Sequence, residues 1–303
     1  MKLVECVPNF SEGRRPEVID EIVGAMMAVD GVTLFDKEMD ADHNRAVITI
    51  TGEPEAVLDG VFRGIAKAKD LIDLTTHEGE HPRMGATDVV PFVPVRDMTM
   101  KECVELARRL GARVGDELEI PVYLYEHAAT RPSRQNLATV RKGQFEGLRD
   151  EIGTDPERDP DFGPKKIHPT AGAVAIGARE FLVAYNINLG TADLSIAKKI
   201  AKSIRLSGGG LKYVKAMGFE IKDRGIVQVS INMVNYKGTP LFRVFEMVKS
   251  EAERYGVPVI GSEIVGVVPV DALVDCAEFY LRLESFQREQ VFENRLAESE
   301  AAE

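Results

Sequence analysis

The chain has 303 residues, 44% of them hydrophobic, enough to bury a sizeable core, and its length suits two domains better than one. Its formal net charge of -11 excludes a general affinity for nucleic acid or an anionic membrane surface, so any anionic substrate must find a local basic pocket. Cys6, Cys103 and Cys276 are odd in number, far apart and without a C-x-x-C pattern, and no apolar run is long enough for a signal peptide or a membrane span, which predicts a reducing, cytoplasmic setting.

In chain order, Leu3 to Val7 reads as a strand ending in the turn formers Pro8-Asn9-Phe10-Ser11-Glu12-Gly13. From Pro16 a helix presents Val18, Ile22, Val23 and Met26 on one face. Val32–Phe35 and Ala46–Ile50 read as a strand pair with a long acidic connection, residues 36–45. Pro54 starts a helix with the apolar stripe Val57, Val61, Ile65, Ala68 and Ile72. Asp88–Val95 is a strand, and Pro91 and Pro94, lacking ladder donors, predict an edge or irregular position for it. Thr99 and Glu102 have capping-box spacing before another helix, and Pro121–Tyr125 is a further strand.

Between the second helix and the Asp88 strand lies Thr76-His77-Glu78-Gly79-Glu80-His81-Pro82-Arg83-Met84-Gly85-Ala86, the densest concentration of proton-transfer and anion-binding groups in the chain. Its H-E-x-x-H spacing matches a zinc protease only if it is helical. Gly79 weakens a helix there, and Pro82 biases His81 away from helical angles, so a loop histidine acting as acid and base is the better reading. No metal is expected. His43, His77 and His127 read as histidines that satisfy local hydrogen bonds.

Residues 127–168 lose periodicity, apart from a short helical piece near Leu137 to Leu148. After Gly177 the element order returns: strand to Leu189, a helix capped by Thr191, a strand pair, a helix from Pro240, a strand from Val257, and a last helix after Pro269. Strand-helix-strand-strand-helix-strand, twice over, predicts an α+β protein of two ferredoxin-like (βαββαβ) subdomains, residues 1–178 and 179–303. The open face of each sheet reads as apolar, so the sheets are expected to face each other with helices outside and a ligand groove between.

Four blocks carry a resemblance that spans nearly the whole chain. Val4-Glu5-Cys6-Val7-Pro8-Asn9-Phe10-Ser11-Glu12-Gly13, Gly79 through Ala86, Asp161-Phe162-Gly163-Pro164 and Asn186-Ile187-Asn188-Leu189 together resemble the glutamate formimidoyltransferase family, the transferase portion of formimidoyltransferase-cyclodeaminase. The resemblance implies transfer of a formimidoyl group between N-formimidoyl-L-glutamate and tetrahydrofolate as co-substrate, in histidine degradation. It places the catalytic histidine on His81 and its supporting carboxylate on Glu38, with Asp40 close by. The folate loop falls on Gly163, Pro164, Lys165, Lys166, Ile167, His168, Pro169, Thr170, Ala171 and Gly172. Arg83, Lys165, Lys166 and Arg179 are candidate partners for substrate carboxylates. The resemblance and the acidic C-terminal helix imply a homodimer, and the cyclodeaminase portion is expected to be absent. An N-formylglutamate donor and a non-catalytic folate-binding protein are the alternatives.

Overall fold

The chain opens in a strand interrupted at Val7-Pro8, giving β1 (Leu3–Cys6) and β2 (Asn9–Phe10). α1 (Pro16–Met27) starts on a proline at a position where no amide donor is needed, and buries Val18, Ile19, Ile22 and Met26. β3 (Val32–Asp40) and β4 (Arg45–Gly52) form a hairpin, followed by α2 (Pro54–Leu71), which buries Val57, Val61, Ile65 and Ala68, and by β5 (Thr87–Arg96). In the sheet the order is β3, β4, then β1 and β2 together, then β5. That is the second, third, first and fourth strands of a βαββαβ unit. α3 (Met100–Leu118), held at its start by a Thr99/Glu102 capping box, leads to β6 (Val122–Glu126). The short helices α4 (Leu137–Val140) and α5 (Gln144–Glu151) follow, then β7 (Val174–Ala178), which slots between β5 and β6 and runs parallel to both.

Two expectations fail here for identifiable reasons. The acidic connection of residues 36–45 is mostly strand, because Lys37 to Asp40 pair with Ile48 to Arg45, leaving a turn of residues 41–44. Glu38 and Asp40 therefore project from a rigid hairpin. β5 is central despite its prolines. The Pro91 carbonyl accepts from Val7 N–H on one side and the Phe92 carbonyl from Arg179 N–H on the other. Since backbone groups alternate along a strand, the missing donor of Pro91 faces the β1/β2 interruption, and that of Pro94 faces the β7 side beyond Ala178, where β7 has ended.

Residues 1–302 are described by this computed structural model. They divide into two units, Met1–Phe181 and a second that begins at Leu182. The second unit contains β8 (Val183–Leu189), α6 (Leu194–Ile204), β9 (Val214–Ile221), β10 (Ile226–Met233), α7 (Leu241–Glu253) and β11 (Val259–Val265). Strand order is β11-β8-β10-β9, so the second unit is also a βαββαβ sheet, with α8 (Val270–Leu281) and α9 (Phe292–Ala302) appended. The cap of α6 is Asp193, which accepts from Ser195 N–H; Thr191 instead braces Asp193 N–H.

Val183, Tyr185, Ile187 and Leu189 pair with Met233, Ile231, Val229 and Val227, and these eight buried side chains share the face against which α6 and α7 pack. The alternate residues of β8 and β10 are Ala184, Asn186, Asn188, Gln228, Ser230 and Asn232, so the other face of this central pair is mainly polar, with Met217 and Phe219 of β9 beside it. Gln228 Nε2 donates to Asn188 Oδ1 at 2.9 Å and to Glu263 Oε1 at 2.8 Å. The strict period of two in Val-Ala-Tyr-Asn-Ile-Asn-Leu supplies one apolar face only. Among the described residues no helix is long and apolar enough to cross a membrane.

Candidate active site

The segment from Ile72 to Ala86 is irregular, so His77 and His81 do not share a helical face and the zinc-protease geometry is not formed. Its shape is fixed by two neighbours within the first unit. One is the β3–β4 turn. Asn44, with φ of 48°, is buried there, accepts from Gly13 N–H at 2.8 Å and donates to the Glu78 carbonyl at 2.9 Å. Asparagine tolerates that left-handed backbone and carries both a donor and an acceptor. Glu80 N–H reaches the Asp42 carbonyl, and His77 Nε2 lies 2.9 Å from the Asn44 carbonyl. Gly79 is required at the crossing, because a Cβ there would sit 2.4 Å from the His43 carbonyl oxygen.

The other neighbour is the Gly163–Gly172 segment. Leu74 N–H donates to Thr170, Ala86 N–H to Ala171, and Ala173 N–H to Met84, so the two loops are laced together by backbone bonds. Gly172, at φ of 70°, permits the approach, since its Cβ would lie 2.3 Å from the Met84 carbonyl oxygen. The far end of the segment is anchored by a buried ion pair, Asp161 with Arg134 at 2.6 Å, and Asp161 also accepts from Leu124 N–H. Ile167 is buried. Lys165 and Lys166 are exposed, and Lys165 pairs with Asp159 at 2.6 Å. His168 Nδ1 accepts from Ala171 N–H, and burial together with Lys69 lowers its pKa.

His81 is partly buried in this frame, 6.5 Å between ring centroids from His43 in an edge-on arrangement. Asp40 grips His43 and not His81: its carboxylate lies 2.7 Å from His43 Nδ1 and accepts from His43 N–H at 2.8 Å. Burial would raise the Asp40 pKa, but these bonds outweigh it and hold the carboxyl below its usual range. Glu38 and Asp40 alternate on one face of β3, and Asp40 is directly opposite Arg45. Asp88, 1% exposed, accepts from Met84 N–H at 2.8 Å through one oxygen and binds Arg141 through the other. The His81 pKa is pushed down to about 2 by burial, then by Arg45, Arg141 and His43, with Asp40 opposing. The imidazole is therefore held uncharged, with the charges of both guanidinium groups acting on it.

Arg83 takes a different course. Its two Nη atoms form a fork onto Glu146 at 2.7 and 2.6 Å, and its Nε points at His77 Nδ1 at 3.3 Å. It lines a cleft of about 490 Å³ with Thr75, His77, Glu78, Gln144 and Glu146, and a smaller one of about 250 Å³ lies between Glu12, Arg15, Asn44 and Thr76. Neither cleft is lined by His81. Among the described residues no group of three His, Cys, Asp or Glu side chains is arranged to hold a metal.

Sequence reasoning missed Arg45, Arg141 and Asp88 and treated His43 as incidental. Asp88 did leave a signal, an acid at the mouth of an otherwise apolar strand, where burial demands a partner. Arg141, at the end of a four-residue helix, left none.

Comparison with known proteins extends along the whole of both units. Residues 3–179 match the family described as Formiminotransferase domain, N-terminal subdomain, and residues 184–297 the one described as Formiminotransferase domain. The chain is 53% identical over 296 residues to a glutamate formimidoyltransferase of Streptococcus pyogenes, covering 97% of this chain and 99% of that one. It is 50% identical to a glutamate formimidoyltransferase of Thermoplasma acidophilum, covering 98% of each. Against the formimidoyltransferase-cyclodeaminase of Mus musculus the identity is 45%, over 92% of this chain and 52% of that protein, so the chain spans about half of it. With matches of this extent and identity, the chain belongs to the formiminotransferase family of transferases.

Proposed function

We propose that the protein transfers a formimidoyl group between N-formimidoyl-L-glutamate and N5 of tetrahydrofolate, a one-carbon step of histidine degradation, with His81 as acid and base. The observation that carries this reading is a neutral loop imidazole flanked by cations, in a chain 53% identical to a glutamate formimidoyltransferase. N5 attacks the formimidoyl carbon, and the C–N5 bond forms as the C=N π electrons move onto the imino nitrogen. The neutral His81 takes the proton that N5 loses. Collapse of the tetrahedral intermediate restores the C=N bond and breaks the bond to the glutamate nitrogen, which leaves with the proton returned by His81. One imidazole thus balances both half-steps, a contribution on the order of 10² to 10⁴ in rate.

In this reading the Gly163–Gly172 segment receives the folate, with Lys166 free to meet an anionic tail. Glu38 biases the charge at Arg45 from the hairpin face they share. Asp40 orients His43 beside the reactive ring. The working form is a cytoplasmic homodimer, for which sedimentation at micromolar concentration is the check. The activity test is purified protein with tetrahydrofolate and either N-formimidoyl- or N-formyl-L-glutamate, with and without a chelator. Formation of 5-formimidoyltetrahydrofolate from the first donor, undiminished by chelator, is expected. No product from it would overturn the proposal.

A further inference from the structure

We propose that Arg45 and Arg141 form the seat of the donor's α-carboxylate beside the His81 imidazole. The inference rests on the transfer reading above. Arg45 is a partly buried cation with no hydrogen bond or ion pair to its guanidinium among the described residues, and its Nε is buried without a partner. Arg141 is satisfied on one side by Asp88, yet its Nε is also buried and unpartnered. Of the acids that act on Arg45, Glu38 does so from the hairpin face they share, while Asp40 and Asp88 are bonded elsewhere. Asp40, opposite Arg45 in the hairpin, is turned onto the His43 ring, and Asp88 divides its oxygens between Met84 N–H and Arg141. Two guanidinium groups, each with a buried and unpartnered Nε donor, therefore border one imidazole, and a buried donor left this way is unfavourable until an acceptor arrives.

The chemistry of the substrates decides which anion fits. In N-formimidoylglutamate the α-carboxylate is attached to the carbon that bears the reacting nitrogen, so it must lie close to whatever group handles that proton. The γ-carboxylate is farther along the side chain, and the folate carboxylates are separated from N5 by an aminobenzoyl group. A guanidinium pair next to the catalytic ring thus selects the α-carboxylate, in the fork geometry that arginine favours. Seating it has a second effect. The same two cations depress the imidazole, so an anion placed between them makes His81 a stronger base when the donor is bound.

The test pairs Arg45→Gln with a donor lacking only that carboxylate, N-formimidoyl-4-aminobutanoate. Arg45→Gln is expected to raise KM for N-formimidoylglutamate about tenfold to hundredfold, the loss of charge-assisted hydrogen bonds, and to leave KM for tetrahydrofolate unchanged. The wild type should discriminate against the truncated donor and the variant should have lost most of that discrimination, with Arg45→Lys restoring part of it as proof of a folded site. Full discrimination retained in Arg45→Gln overturns the proposal. So does a rise in KM confined to tetrahydrofolate and abolished with tetrahydropteroate, which would assign the cations to the folate tail. If the wild type transfers nothing from N-formimidoylglutamate, the functional reading fails by itself, and the seat is still tested by binding. L-glutamate should bind wild type more tightly than 4-aminobutanoate does, by calorimetric titration, and that preference should be largely lost in Arg45→Gln; an undiminished preference in the variant overturns it.

Discussion

Two arginine sites border the same irregular loop and differ in one respect. Arg83 is nearly enclosed and fully matched: both Nη atoms on Glu146, Nε on His77. Arg141 is paired with one carboxylate, that of Asp88, Arg45 has no ion pair among the described residues, and both keep buried, unpartnered Nε atoms. Arg83 lies in the sequence block that draws attention, whereas the other two come from a hairpin start and a helix end ninety-six positions apart in origin. The contrast teaches that a cation's identity is written in the sequence but its neutralisation is not, and chemistry collects where neutralisation is incomplete.

The largest effect should come from removing the group that the unbalanced site surrounds. His81→Ala is expected to lower kcat on the order of 10² to 10⁴ with tetrahydrofolate binding retained, measured by steady-state kinetics and equilibrium binding. Unchanged turnover would take the imidazole out of the mechanism. Next comes Asp88→Asn, which keeps an acceptor for Met84 N–H but removes the carboxylate paired with Arg141. Because Asp88 is 1% exposed, breaking this pair should cost about 3 kcal/mol of stability in urea unfolding. Stability within about 0.5 kcal/mol of wild type would show that the site tolerates a second bare cation, and the comparison would lose its force.

How much of this was legible beforehand follows the same division. Local patterns gave the two βαββαβ units, the Thr99/Glu102 cap and the non-helical state of His81, since Gly79, Pro82 and the apolar periodicities act within a few residues. What failed depended on distant partners. β5 is central because the gaps in its neighbours coincide with its prolines, and a reader of the strand alone sees only the prolines. Asp40 serves His43 because a four-residue turn returns the chain upon it, whereas a ten-residue loop would not. The pairing of Arg83 with Glu146 spans sixty-three positions, and nothing local distinguishes Glu146 from other helix-surface acids.

A buried anion offers a control for the unbalanced cations. Glu5 on β1 is 4% exposed, its Oε2 has no hydrogen-bond partner, and its pKa is raised from 4.5 to about 7 by burial, with Arg179 opposing. A raised carboxyl binds more protons in the folded than in the unfolded state, so the stability it contributes is complete below pH 4.5 and is lost as pH rises through about 7. Glu5→Gln should remove that slope. Relative to the variant, wild type is expected to lose about 2 to 3 kcal/mol between these limits, followed by denaturant titrations at several pH values. Parallel curves would mean that Glu5 stays ionised, and burial alone would not be enough to silence a charge in this fold.

The smallest effect is expected at the matched arginine. Glu146 is 53% exposed at its side chain, so water can take over much of what it gives Arg83, and the pair is worth far less than its short distances suggest. Glu146→Gln keeps an acceptor beside Gln144 and lets Arg83 hold His77. Stability should fall by less than about 1 kcal/mol, and KM for the amino-acid donor should stay within about twofold of wild type, a change of under half a kcal/mol. Because Glu146→Gln and Arg45→Gln each alter one charge near the same loop, the ratio of their effects on donor KM reads the comparison directly. If Glu146→Gln moved donor KM as far as Arg45→Gln does, Arg83 would also be meeting substrate, and its contact with Glu146 would be a resting state exchanged for a carboxylate of the ligand.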